Sequence, residues 1–151
     1  MKLSLVTIAP PRRAVRNDPA QLLAQDYATR SGRMAPLDVL SYPDEAALFE
    51  ALSKQAGRVP AQLCFFDPTG DSISSEQFAH YIERVRDGGA QRMIFAVGPA
   101  DGWSEPSLRR AHRILALGKM TLPHELARVV VAEQVYRALT ILNRHPYHLG
   151  H

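Results

Sequence analysis

Three short segments of this 151-residue chain combine glycine, proline and polar side chains in a way that can hold a ligand: Phe66–Gly70 (FDPTG), Val97–Gly102 (VGPADG) and Leu117–Pro123 (LGKMTLP). Glycine lets backbone amides and carbonyls approach a bound molecule closely, and the apolar Leu117, Met120 and Leu122 can wall an aromatic ring. That mixture suits an adenine-containing ligand better than a bare phosphate, although as isolated segments they read equally as ordinary turns. Other chemistries are absent or weak. The chain has no G-x-x-x-x-G-K-[ST] phosphate loop, no G-x-G-x-x-G after its first strand and no G-x-S-x-G elbow. The single cysteine, Cys64, lies inside an apolar run, where a core thiol outweighs a nucleophile. Alone, it forms neither an internal disulfide nor a cysteine-rich zinc module. His145, His148 and His151 recur at every third residue like a metal cluster, but Pro146 and the chain end deny them a rigid helix, so no metal site is expected.

The elements that must position these segments alternate along nearly the whole chain. Lys2–Ala9, Leu37–Tyr42, Leu63–Asp67, Arg92–Val97 and Arg113–Leu117 read as strands. Asp18–Ser31 reads as a helix, and Asp44 caps a second one that Gly57 ends. Ser74 opens a third with Gln77 three residues on, a capping box, and Gly88–Gly89 stops it. Ser104–His112 is a short helix and His124–Asn143 a long final one. This alternation predicts a single three-layer α/β domain with a mainly parallel sheet. In such sheets ligands bind beyond the carboxyl ends of the strands. The three glycine-bearing segments belong there.

The final helix carries more apolar surface than one sheet face needs. Val131, Val135, Ala138, Leu139 and Leu142 form one arc; Leu126, Val129, Val130 and Ile141 form another, split by Glu133 and Arg137. The excess points to a second subunit, against the alternative of a helix buried deep within one. Charge is unevenly placed as well. Residues 1–103 carry 11 Lys/Arg against 12 Asp/Glu, whereas residues 104–151 carry 7 against 3, with five of the six histidines. A basic third beside a neutral body suggests a polyanion docking on one face, or simply a solvated helix surface. Hydrophobic residues at 46% and charged residues at 22% exclude a disordered chain. No apolar stretch approaches the length of a membrane span. The opening strand, broken by Ser4 and Thr7 and stopped by Pro10, Pro11, Arg12 and Arg13, is no signal peptide. A cytoplasmic protein is expected.

Lys119–Arg137 (KMTLPHELARVVVAEQVYR), followed by Pro146-Tyr147-His148, resembles the C-terminal signature of the ribosomal RNA large-subunit methyltransferase H family, within the SPOUT methyltransferases. The strand Met93–Val97 with the Gly98–Gly102 loop resembles that family's I-G-G-x-x-G element, and the opening Met1-Lys2-Leu3 strand fits too. The likeness spans the chain, strong from about Arg92 onward and weak between Pro10 and Pro60, where this sequence looks shortened. The P-H-x-x-x-R-x-x-x-x-E-Q-x-Y-R spacing is long and specific. The resemblance implies an α/β fold with a C-terminal trefoil knot, a homodimer, S-adenosyl-L-methionine as methyl donor, and N3-methylation of a pseudouridine in 23S rRNA on the assembled 70S ribosome.

Carried over residue by residue, the resemblance implies cofactor contacts from Phe66, Gly98, Leu117, Gly118, Lys119, Met120, Thr121 and Leu122. These fall on the three segments chosen above by composition. Where the family has its second glycine, this chain has Pro99, which lacks an N–H and fixes φ near −65°. That departure motivates one alternative, an RNA- or ribosome-binding homologue with an impaired cofactor pocket. A SPOUT enzyme acting on another RNA is a second. Methyl transfer is an in-line displacement that also needs the imide proton removed. His124 can be the base or cap the helix start. Arg137 can contact RNA or pair with Glu133, one turn back on the helix. Tyr147 can stack on a base or pack the chain end, and His148 can be a base or a tail contact. Arg128 and Arg144 are the expected RNA contacts.

Overall fold

The computed structural model describes residues 1–11, 17–55 and 58–150. Arg12, Arg13, Gly57 and His151, which entered the expectations above, lie outside them. Five strands, β1 (Lys2–Ile8), β2 (Leu37–Tyr42), β3 (Gln62–Asp71), β4 (Arg92–Val97) and β5 (Arg113–Leu115), form one sheet in the order β2-β1-β4-β3-β5. Every neighbouring pair is parallel, so the sheet is wholly rather than mainly parallel. The helices are α1 (Pro19–Ser31), α2 (Glu45–Ser53), α3 (Ser75–Asp87), α4 (Glu105–Leu108) and α5 (His124–Leu142).

Successive side chains of a strand point to opposite faces, so an apolar run feeds two cores at once. Cys64, Phe66, Met93, Phe95 and Val97 join Phe78 of α3 and Val131, Val135 and Leu139 of α5 on one face. Leu63, Phe65, Ile94 and Ala96 join Leu48 of α2 and Trp103 on the other. Burial pushes the Cys64 thiol up to about 12, as befits a core residue. Local signals set the helix starts: Asp44 accepts from the Ala47 N–H, and the Ser74/Gln77 capping box is complete. α5 lies between α1 and α3, which buries much of its first apolar arc. The second arc is half-covered, and Leu126 remains 51% exposed.

Three boundaries differ from expectation. The segment Phe66–Gly70 is not a free loop but part of β3, which runs on to Asp71. Phe66 and Asp71 both align with Leu115, so the four residues between them bulge out of the ladder. Asp67 holds the bulge by accepting from the Thr69 backbone and hydroxyl. Gly70 is required there, because a Cβ would sit 2.6 Å from the Ile114 and Leu115 backbone. α4 spans a single turn, and β5 stops at Leu115, where the Ala116 N–H bonds back to Asp71.

Candidate active site

The bulge of β3 and the carboxyl ends of β4 and β5 open onto a cavity of about 290 Å³, close to the lower end for small-molecule sites. Its walls include Phe66, Gly98, Leu117, Gly118, Met120, Thr121 and Leu122, together with Asp67, Pro99, Asp101, Trp103 and His124. Every residue expected to contact a cofactor is therefore here except Lys119, which is exposed and outside the walls. Trp103 was not legible as a site residue, yet it fixes the geometry. Its Nε1–H donates to the Phe66 carbonyl at 3.0 Å, and its ring stacks on Phe65 at 4.2 Å. The indole lies so near Gly98 that a Cβ there would come within 2.7 Å of it. Gly98 is thus demanded by a close approach, and the tie from Trp103 to Phe66 fastens the loop after β4 to β3 where its bulge begins. The turn Pro99–Gly102 closes through the Gly102 N–H on the Pro99 carbonyl at 2.9 Å, with Gly102 at φ 90°. Pro99 thus serves as an acceptor in the turn, which uses no N–H of its own.

His124 is the first residue of α5 and is half-buried in the cavity wall. The helix is capped by Pro123 with no side-chain hydrogen bond, so His124 does not cap it and its ring is left to the cavity. It is the only histidine among the described lining residues.

The remaining candidates gather elsewhere. Arg137 donates through Nε and an η nitrogen to Glu133 Oε1 at 3.0 and 2.7 Å. The ion pair one turn apart on the helix is therefore formed, with both side chains largely buried. Tyr147 donates from its hydroxyl to the same carboxylate oxygen at 3.1 Å and packs edge-on against Tyr136 at 4.7 Å, beneath the Arg30 guanidinium. Burial, with Glu133 and Tyr27 beside it, raises the Tyr147 phenol to about 12. Arg137 also donates to His148 Nδ1 at 3.0 Å, while His148 Nε2 lies 2.7 Å from Glu76 Oε1. Since arginine only donates, Nδ1 accepts and Nε2–H donates to Glu76. This hydrogen bond is the main cause holding Glu76 below the ordinary carboxylate range. Both His148 nitrogens therefore have partners within the tail cluster. None of Arg137, Tyr147 or His148 lines the cavity.

Arg128 is half-buried on α5 and donates to Gln21 of α1 at 2.9 Å. Arg144, at φ 56°, is exposed just past the end of α5. Among the described residues no three His, Cys, Asp or Glu side chains converge as a metal site, and no helix is long and apolar enough to cross a membrane.

An all-parallel α/β sheet with a cavity built from the β3 bulge and the loops after β4 and β5 defines a class, and comparison with known proteins gives it a family. The chain belongs to the SPOUT methyltransferase family: the model described as "Predicted SPOUT methyltransferase" matches residues 1–148. It is 42% identical to the ribosomal RNA large subunit methyltransferase H of Koribacter versatilis over the full length of both chains. It is 39% identical to the Caulobacter vibrioides protein of the same name, covering 98% of each. Among solved structures it resembles a probable methylase family protein of Haemophilus influenzae, with a TM-score of 0.56 and 13% identity over 95% of this chain and 69% of that one. The SpoU methyltransferase AviRb of Streptomyces viridochromogenes, in complex with AdoMet, gives a TM-score of 0.50 at 11% identity. That match covers 90% of this chain and 57% of the other. At such identities the two structures speak for the fold alone.

Proposed function

We propose that the protein transfers a methyl group from S-adenosyl-L-methionine to large-subunit ribosomal RNA, at N3 of a pseudouridine in 23S rRNA within the assembled 70S ribosome. The carrying observation is the cavity, in which the residues implied for the cofactor, Lys119 apart, meet at the ends of β4 and β5 and the bulge of β3. Its chemistry fits the donor. Phe66, Leu117, Met120 and Leu122 offer apolar walls for a base, the glycine-bearing loops offer backbone groups, and the charged lining residues are carboxylates, suited to a cationic ligand. The donor supplies an activated methyl carbon on a sulfonium sulfur. The chain's part is to orient that carbon, exclude water and remove the imide proton, and His124 is the side chain we assign to the last task.

The same reading includes a homodimer. Arg137 lies roughly 20 Å along α5 from His124, at 1.5 Å of rise per residue. The tail cluster of a second copy would bring Arg137, Tyr147 and His148 to a methyl acceptor at the cavity, which none of them lines within one chain. Leu22, Leu122 and Leu126 are 55%, 38% and 51% exposed, and Met120 is 85% exposed at the cavity mouth. Burying this apolar surface is what a second subunit offers. Arg128 and Arg144 are assigned to RNA, a cytoplasmic location follows from the substrate, and the trefoil threading implied by the family belongs to the same proposal.

A second reading, an RNA-binding homologue that no longer holds the donor, is motivated by Pro99 in the cavity wall. Calorimetric titration with S-adenosylmethionine separates the two. The enzyme reading expects saturable binding, and no detectable binding by the folded protein rejects it. Competition between ribosomes and bulk tRNA for the transferred methyl separates a ribosomal substrate from another RNA.

A further inference from the structure

The cavity walls contain two carboxylates, Asp67 and Asp101, and neither lysine nor arginine among the described residues. The two differ in their commitments. Asp67 accepts from the Thr69 backbone at 3.0 Å and from its hydroxyl, so it serves the β3 bulge. Asp101 is exposed and makes no hydrogen bond or ion pair to any described residue. It is nevertheless held in place. The turn bond from Gly102 to Pro99 and the Trp103 bond to Phe66 fix the loop on both sides of it. A negative charge with no described partner is thereby presented in the wall of a partly apolar cavity, with solvent on its outer side.

We infer that Asp101 is a specificity residue that makes the pocket prefer the methyl donor over its demethylated product by charge. The inference rests on the methyl-transfer reading. Donor and product share the same adenosine, ammonium and carboxylate. They differ by the methyl group and by one positive charge, since the sulfonium becomes a neutral thioether when its methyl leaves for the pyrimidine nitrogen and the imide proton leaves to the base. Attraction between Asp101 and the shared groups cancels in the ratio of the two affinities, whereas attraction to the sulfonium does not. With no lysine or arginine in the described walls to offset it, one solvent-screened attraction between unit charges is worth about tenfold in that ratio. After each transfer the pocket loses one attraction to what it holds, which favours release of product and entry of fresh donor.

The test is calorimetric titration of the full chain and of Asp101→Asn with S-adenosylmethionine and S-adenosylhomocysteine, at low and high salt. Circular dichroism and thermal melting confirm that the variant is folded. We expect the preference for donor to narrow about tenfold in Asp101→Asn through weaker donor binding, with product affinity unchanged, and to return in Asp101→Glu. Salt should narrow the preference in the parent chain more than in Asp101→Asn, where Asp67 is the remaining carboxylate in the walls. Equal weakening of both ligands would assign Asp101 to their shared ribose or amino-acid portion and overturn the inference, as would no change at all. Failure of the parent chain to bind either ligand would overturn the methyl-donor reading first, and this inference with it.

Discussion

His124 and Gly98 carry the sharpest consequences at the scale of single residues. His124 begins α5 without capping it and lines the cavity. Removing a positioned general base costs on the order of a hundredfold or more in rate. His124→Ala should therefore lower methyl transfer by at least that factor under single-turnover conditions, while donor affinity measured by calorimetry stays within a few-fold. Unchanged transfer would move the base elsewhere. Gly98 has no room for a Cβ, since the Trp103 indole lies 2.7 Å from where it would be. Overpacking of this kind costs about 1–3 kcal/mol. Gly98→Ala should show that loss in urea unfolding, together with weaker donor binding, because the displaced Trp103 no longer ties the loop to the Phe66 carbonyl. The spacing of the signature residues pointed to Gly98 and His124. Asp101 lay within the chosen Val97–Gly102 segment without being singled out, and nothing in the sequence pointed to Trp103, whose role arises from its contact with Phe66 far back in the chain.

At the scale of elements, the apolar runs and cap residues were legible because they obey local rules. The Ser74/Gln77 box forms as its spacing requires, and Cys64 is buried as its strand requires. The β3 bulge was not legible, because it depends on Gly70 meeting the backbone of β5 about 45 residues later. Arg137 and Tyr147 carried two readings each from sequence, and only the fold shows Glu133 engaging both. Packing against β3 also sets a pH limit. Burial raises Cys64 from 9.0 and Tyr81 from 10.0, both to about 12. The folded state holds these protons more tightly than the unfolded chain does. Their contribution is therefore intact below about pH 9 and is lost as pH climbs toward about 12. Thermal melts between pH 8 and 11 should show the midpoint falling from about pH 9 upward, and Cys64→Ser should not be used as a neutral control, since it places a hydroxyl in the core. A flat profile would mean that these groups ionise as freely folded as unfolded.

For the whole molecule, the separation of His124 from the tail cluster is the most consequential feature. The cavity and the Arg137–Tyr147–His148 group lie at distant points of α5, so in the proposed dimer a site needing both takes one part from each of two copies. Chains truncated after Asn143 and full-length His124→Ala chains should each be inactive alone. Mixed and allowed to exchange subunits, they should regain a substantial part of the activity, since one mixed site then has an intact base and an intact tail. No recovery in a mixture shown to contain heterodimers would place both functions in one chain. The central claim itself is tested most directly by incubating the protein with labelled S-adenosylmethionine and 70S ribosomes from a strain lacking this modification, with naked rRNA and tRNA alongside, and mapping the product. The account predicts label on one pseudouridine of 23S rRNA, and only in assembled ribosomes; a folded protein that labels none of these RNAs, or labels tRNA instead, contradicts it.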